Sequence, residues 1–222
     1  MSIIDYTERA KQYNRNEFWK QVRRTINGEE VSEDQIQQIV KQINNCLNIQ
    51  FDDCLVDIGC GNGALTNLVA PKECVVYGID PSNYLIEIAK EFFQKEKHTY
   101  EVGFANDDYT YTKFSISNKC LLYGVSSYLE DTMISDVLNN FFSNSNKVMF
   151  IGAVRDLEHR NKFFQSKNLK IPPNKSETTM GLWRSKAFFI QLSEKYKLNV
   201  EFLKMPNSFY ASEYYFDVVF KS

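Results

Sequence analysis

The chain has 222 residues, 43% of them hydrophobic and 24% charged, with a formal net charge of −2. That length and balance suit one domain with a core of its own. They argue against a general nucleic-acid-binding face, because no long basic run accompanies the slightly acidic total. No apolar run is long enough to span a bilayer. Met1-Ser2-Ile3-Ile4-Asp5 lacks the charged stub and apolar stretch of a signal peptide. The cysteines Cys46, Cys54, Cys60, Cys74 and Cys120 are odd in number and form no Cys-x-x-Cys pair, and the only histidines are His98 and His159. A reduced, cytoplasmic, metal-free protein is the expectation.

In chain order, a helical stretch is expected from about Asp5 to Ile26, ended by Asn27-Gly28, since both residues tolerate a left-handed backbone. A second helix starts at Ser32, where Gln35 three residues on suggests a capping box. It continues through Ile36, Ile39, Val40, Ile43 and Leu47 at helical spacing. The texture then alternates. Strands are expected at 54–58, 74–79, 99–102, 120–123 and 148–152. Helices are expected at 64–69, 83–94, 131–142 and 157–164. His98 falls in a turn and reads as structural or exposed. A polar, Pro-containing stretch at 166–182 is long enough to be a lid or binding loop. A helix at 183–196 and two strands at 198–204 and 213–221 complete the chain, the strands suiting an antiparallel hairpin.

Strand–helix alternation with short turns implies a parallel sheet covered by helices on both faces. Right-handed crossovers then place a ligand at the carboxyl ends of the strands. Within one domain, residues 1–49 form a helical N-terminal cap, 50–155 a ligand-binding core, and 156–222 a loop, helix and closing hairpin.

Val56-Asp57-Ile58-Gly59-Cys60-Gly61-Asn62-Gly63-Ala64 is the strongest local signal. A buried strand breaks at alternate glycines and enters a helix, which lets a ligand approach bare backbone. Small size accounts for Cys60 there. Asp80, about 20 residues on at the end of the next strand, is placed to accept hydrogen bonds from ribose hydroxyls. Pro81 suits the first turn of the following helix. Gly59-x-Gly61-x-x-Ala64 also satisfies the dinucleotide fingerprint, so an NAD(P)-dependent oxidoreductase is an alternative. Asp57 weighs against it, since a carboxylate sits badly beside a pyrophosphate and well beside a cationic ligand.

Val56 to Gly63 resembles the first motif of class I S-adenosylmethionine-dependent methyltransferases, and Gly78-Ile79-Asp80-Pro81-Ser82 resembles the acidic element that follows it. The resemblance extends more loosely over residues 50 to 155. It implies an α/β, Rossmann-like doubly wound fold with a mostly parallel seven-stranded sheet, a C-terminal antiparallel hairpin and N-terminal capping helices. It also implies that the backbone of Gly59, Cys60, Gly61 and Gly63 contacts the methionine part of S-adenosylmethionine, that Asp80 grips its ribose, and that Asp57 holds the ammonium. Gly103-Phe104-Ala105 departs from the family pattern. Phe104 stands where an acid often binds adenine, so stacking by Phe104 with Asn106 or Asp107 as the polar contact is one reading, and a core phenylalanine the other. Tyr123 to Asp131 resembles the stretch beneath the sulfonium, where Gly124 allows close approach.

Gln21-Val22-Arg23-Arg24-Thr25-Ile26-Asn27-Gly28 and Tyr214-Tyr215-Phe216-Asp217-Val218 resemble a group of small bacterial methyltransferases, some linked to surface-polysaccharide synthesis. This implies methylation of an oxygen on a carbohydrate, nucleotide-linked or phosphorylated small molecule. No nucleic-acid or membrane partner is expected from the charge and apolar pattern, and Ser126-Ser127-Tyr128 stands where base-methylating enzymes carry Asp/Asn-Pro-Pro-aromatic. Arg24 and Thr25 would bind the cofactor carboxylate, and Tyr13 would close over it. His159 would act as general base; the other reading is a solvated helix surface, with Arg155 and Asp156 touching substrate instead. A non-catalytic subunit that keeps the cofactor site is a further alternative.

Overall fold

The structure, a computed structural model, describes residues 3–222, with side chains from Tyr6 onward. The expected first helix is two short ones, α1 (Ile3–Ala10) and α2 (Phe18–Gln21), followed by a hairpin of β1 (Thr25–Ile26) and β2 (Glu29–Glu30). Asn27 and Gly28 do adopt positive φ, at 53° and 90°. They use it for the two-residue turn of that hairpin rather than to end a helix, which is the commonest use of an Asn-Gly pair between strands.

Helix α3 (Glu33–Leu47) buries Ile36, Ile39, Val40, Ile43 and Leu47 as the spacing demands. The expected capping box is not formed, and Ser32 makes no side-chain cap bond. Gln35 is drawn away to tie the loop before the last strand, donating to the Ser208 carbonyl at 3.2 Å and accepting from the Tyr210 amide at 3.0 Å.

The main sheet contains β3 (Cys54–Ile58), β4 (Val75–Asp80), β5 (His98–Val102), β6 (Lys119–Tyr123), β7 (Val148–Arg155), β8 (Asn199–Leu203) and β9 (Tyr215–Lys221), in the order β5-β4-β3-β6-β7-β9-β8. The first five run parallel, and β9 enters antiparallel between β7 and β8. This is the expected Rossmann-like, mostly parallel seven-stranded architecture with its closing antiparallel pair. Strand progression reverses between β3 and β6, so their carboxyl ends frame the crevice where such sheets bind ligands.

Strand alternation separates two cores. Leu55, Val76, Leu121, Phe150 and Val219 meet α3 and α4 (Ala64–Val69) on one face. Val56, Cys120, Leu122, Met149, Ile151 and Val218 meet α6 (Asp108–Ile116), α7 (Asp131–Phe141) and α9 (Lys186–Tyr196) on the other. Helix α6 was not expected. Its composition, Asp-Tyr-Thr-Tyr-Thr-Lys-Phe-Ser-Ile, has little helical periodicity, and it starts because Asp107 accepts the Thr110 amide at 2.8 Å. His98 opens β5, fully buried against the Pro71 carbonyl at 3.2 Å, so it is structural and lies in a strand rather than a turn.

Strand β7 contains a bulge. Its register against β9 shifts between Ile151 and Val154, and Ala153 there has a φ of 55°. The Asp217 carboxylate holds the bulge by accepting the Ala153 amide at 2.7 Å and the Gln42 side chain at 2.5 Å. After it the alternation is inverted. Phe150 and Ala153 share one core face, Ile151 and Val154 the other.

The last expected helix begins three residues late, at Lys186, with Ser185 as its cap. Trp183 and Arg184 instead run beside Asp156 as extended chain. The stretch 166–182, expected as a lid, follows α8 (Arg160–Ser166) and is pinned to the segment after β6. Leu182 donates to the Ser127 carbonyl at 2.7 Å, and Ser176 bonds Glu130. None of its residues lines either cavity described below.

Candidate active site

A cavity of about 320 Å³ lies at the reversal point, over the carboxyl ends of β3, β4, β5 and β6. The glycine loop is its floor. Gly59 and Cys60 donate to the Ile79 carbonyl at 2.7 and 3.1 Å, tying the turn to the end of β4. At Gly59, φ is 70°, and a Cβ would stand 2.3 Å from Val125 Cγ2. No other residue fits that position. A Cβ on Gly61 would meet Val22 at 2.9 Å. Gly63 is separate from these: it does not line the cavity, and its close approach is to Tyr100 and Ala89 in the core. Cys60 lines the cavity, and burial pushes its thiol well above the ordinary range, which leaves it inert.

Two buried carboxylates face the cavity. Asp57 accepts the Thr66 hydroxyl at 2.5 Å. Burial pushes its pKa up to about 7; the Thr66 bond opposes this and the charge of Asp80 adds to it. Asp80 accepts the Gly61 amide at 3.0 Å and the Ser82 amide at 2.9 Å. Burial raises its pKa to about 6 against those two bonds. Both folded-state values lie above the ordinary carboxylate range, so the folded chain retains protons that the unfolded chain releases. Stability therefore falls as pH rises through the interval from about 4 to about 7. Denaturant unfolding of the ligand-free protein is expected to show a lower free energy at about pH 8 than at about pH 5, with a shallower decline in Asp57→Asn. A stability that rises over that interval would contradict the assignment.

Of the other expected residues, Pro81, Phe104, Ala105, Gly124 and Arg24 line the cavity. Phe104 is 49% exposed, so it is not a core residue. Asp107 is occupied as the cap of α6, and it also accepts the Phe104 amide at 2.8 Å. Arg24 donates to the Tyr123 carbonyl at 3.3 Å and stacks on its ring at 4.5 Å. Thr25 lines only a second, adjoining cavity. Tyr13 lines neither and is held by Arg9 at 3.3 Å.

His159 is not brought to either cavity. Its Nδ1 lies 3.1 Å from the buried carboxylate of Asp156, which caps the turn by accepting the Glu158 amide at 3.0 Å.

Several residues had no sequence signal. Tyr6 lines the cavity with its hydroxyl driven up by burial and by Asp80, so it remains a phenol donor. Asn62 donates to the Phe18 carbonyl and to Gln21, both at 2.8 Å, and so pins the N-terminal segment over the loop. Arg184, almost fully buried, braces the far wall by donating to the Ser126 and Leu129 carbonyls at 2.6 Å each and to Asp131 at 2.9 Å.

The residues present suit S-adenosylmethionine. A carboxylate accepts about four hydrogen bonds, so Asp80 keeps lone pairs for ribose hydroxyls beyond its two amides. Asp57 and Asp80 supply negative charge for a ligand bearing an ammonium and a sulfonium. Phe104, Ala105, Leu129 and Met133 offer an apolar slot for a flat base. The bare backbone at Gly59 and Gly61 leaves room for the chain between them.

Comparison with known proteins bears on the fold. The family model described as a methyltransferase domain matches residues 55–147. The magnesium protoporphyrin IX methyltransferase of Synechocystis PCC 6803, solved with bound SAH, superposes with a TM-score of 0.64 over 98% of this chain and 97% of that one, at 13% identity. The methyltransferase domain of bacterial CtHen1 superposes at 0.61 over 85% of this chain and 100% of that one, at 18% identity. Ribosomal RNA small subunit methyltransferase A of Halothermothrix orenii is 28% identical over 67 residues, 30% of this chain and 22% of that one. Matched stretches span less than half the length of the curated relatives. Among the described residues, no helix is long and apolar enough to cross a membrane.

Proposed function

We propose, for a chain whose residues 55–147 match the methyltransferase-domain family model and whose fold is that of the class I S-adenosylmethionine-dependent enzymes, that it methylates an oxygen of a small acceptor: a carbohydrate, a nucleotide-linked molecule or a phosphorylated metabolite. The observation that carries the reading is the pair of buried carboxylates, Asp57 and Asp80, facing one cavity beside a glycine turn.

S-adenosylmethionine supplies, when bound, a methyl group activated by its sulfonium. The chain's own contribution is binding, orientation and exclusion of water. Asp80 and the Gly59–Gly61 backbone would hold the ribose and methionine parts, and Asp57 the ammonium side. Phe104 would stack on the base. Tyr6, Val22 and Arg24, carried by the N-terminal segment that Asn62 pins down, close the top. Alignment of this kind contributes roughly 7–11 kcal/mol in well-oriented reactant pairs.

Thermal unfolding with S-adenosylmethionine, S-adenosylhomocysteine and NADH in parallel tests the cofactor. Either adenosyl ligand at about 100 times its Kd is expected to stabilise by roughly 2.7 kcal/mol, with NADH inert. A shift with NADH alone would replace this reading with the oxidoreductase one. Transfer of radiolabelled methyl to an extract component then identifies the acceptor. Ligand binding with no transfer to any small molecule or nucleic acid would favour a non-catalytic subunit.

A further inference from the structure

A second cavity, of about 160 Å³, adjoins the first and shares Tyr6, Val22, Arg24, Tyr123, Gly124 and Tyr128 with it. Its character is different. Arg23, Arg24 and Arg155 line it, and no aspartate or glutamate does among the described residues. Arg24 is occupied by the Tyr123 carbonyl and ring. Arg155, at the end of β7, is held by hydrogen bonds to the Tyr128 and Tyr215 hydroxyls, yet not through every N–H. Its Nη1 is buried and has no hydrogen-bond acceptor among the described residues, while its guanidinium lies 5.7 Å from the Tyr128 ring centroid.

A buried guanidinium N–H left without a partner is costly. The field is felt locally. Burial alone would raise the Tyr128 hydroxyl, yet Arg155 and Arg23 outweigh it and hold that group below its ordinary range. Tyr6 and Tyr210, raised by burial, remain protonated and add phenol donors to the same wall. A planar fork beside phenol donors suits a compact oxyanion bound through several charge-assisted hydrogen bonds.

We propose that this second cavity is the acceptor subsite and that Arg155, with Arg23, binds an anionic group, a phosphate ester or carboxylate, on the methyl acceptor. The shared wall of Gly124 and Tyr128 places such an anchor beside the first cavity, so another oxygen of the same molecule reaches the methyl-transfer position. The inference rests on the first cavity being the methyl-donor site. It narrows the acceptor to an anionic molecule and makes Arg155 a specificity-determining residue.

The donor's own carboxylate is the other oxyanion that could meet these arginines, and one experiment separates the two. Phosphate affinity is measured by thermal shift against chloride at matched ionic strength, with the protein saturated by S-adenosylhomocysteine or by 5′-methylthioadenosine, which lacks the amino-acid moiety. Phosphate is expected to bind with either nucleoside present. Arg155→Met is expected to lower phosphate affinity about tenfold or more while leaving S-adenosylhomocysteine affinity within about threefold. Should Arg155→Met fail to fold, Arg23→Gln takes its place with the same expectation.

Phosphate that binds beside methylthioadenosine but is excluded by S-adenosylhomocysteine would overturn the proposal in favour of the donor's carboxylate. Undiminished phosphate binding in the variants would overturn it too. If S-adenosylhomocysteine does not bind the wild-type protein, the donor-site reading has failed, and the proposal falls with it for that separate reason.

Discussion

Asp80→Ala is expected to bind S-adenosylhomocysteine about 10- to 100-fold more weakly than the wild-type chain, which corresponds to the loss of hydrogen bonds to a charged acceptor. The carboxylate does two things at once. It clamps the Gly61 amide to the end of β4, and it presents its remaining lone pairs to the cavity. Calorimetry with 5′-methylthioadenosine separates the donor-site role from a general slackening. A ribose contact predicts equal losses for that compound and for S-adenosylhomocysteine, because both carry the ribose. Asp80→Asn should fall between, since the amide keeps one acceptor oxygen but turns an NH2 toward a backbone N–H. Unchanged affinity in a folded Asp80→Ala would remove the residue from the donor site.

Arg184→Met is expected to lower the unfolding free energy by roughly 2–5 kcal/mol. The cause is not the ion pair with Asp131, whose side chain is 62% exposed and therefore contributes little. It is the pair of carbonyls, Ser126 and Leu129, that a methionine would leave without a donor inside the wall of the cavity. Asp131→Asn is accordingly expected to change stability by less than about 1 kcal/mol. Equal losses in the two variants, measured by denaturant unfolding, would shift the weight back to the ion pair.

The parallel core was legible because buried parallel strands are nearly all apolar and break at glycines. The turn at Asp57–Gly63 and the carboxylate at Asp80 announce themselves through that pattern. What escaped has definite physical causes. Asn27-Gly28 signals a left-handed backbone, but the same conformation ends a helix or turns a hairpin, and strands of two residues have no alternation to decide between them. Helix α6 is rich in β-branched and aromatic residues, and its one clear start signal, Asp107, reads equally well as a ligand contact. Tyr6 and Arg184 reach their places by tertiary packing, and isolated charged or aromatic residues in polar stretches carry no sequence mark of burial. His159 looked catalytic because it follows a strand at the ligand edge. The turn that Asp156 caps holds it 3.1 Å from that carboxylate and away from the cavity lining.

The bulge in β7 sets which side of the sheet its last residues serve. Gly152 and Ala153 both turn toward the α3 face: a Cβ on Gly152 would strike Tyr123 and Phe150, and Ala153 packs with that core. The inserted position flips the parity of everything after it, so Arg155 faces the second cavity and Val154 the hydrophobic layer beneath α9. Removing one residue here would exchange them, burying a guanidinium in hydrocarbon and offering a valine to the cavity. If Arg155 anchors the acceptor as proposed, substrate preference is written partly as a count of backbone units. On that proposal, an indel of length one, which leaves both Val154 and Arg155 in the chain, is a short evolutionary path between a binder of anions and a binder of neutral molecules.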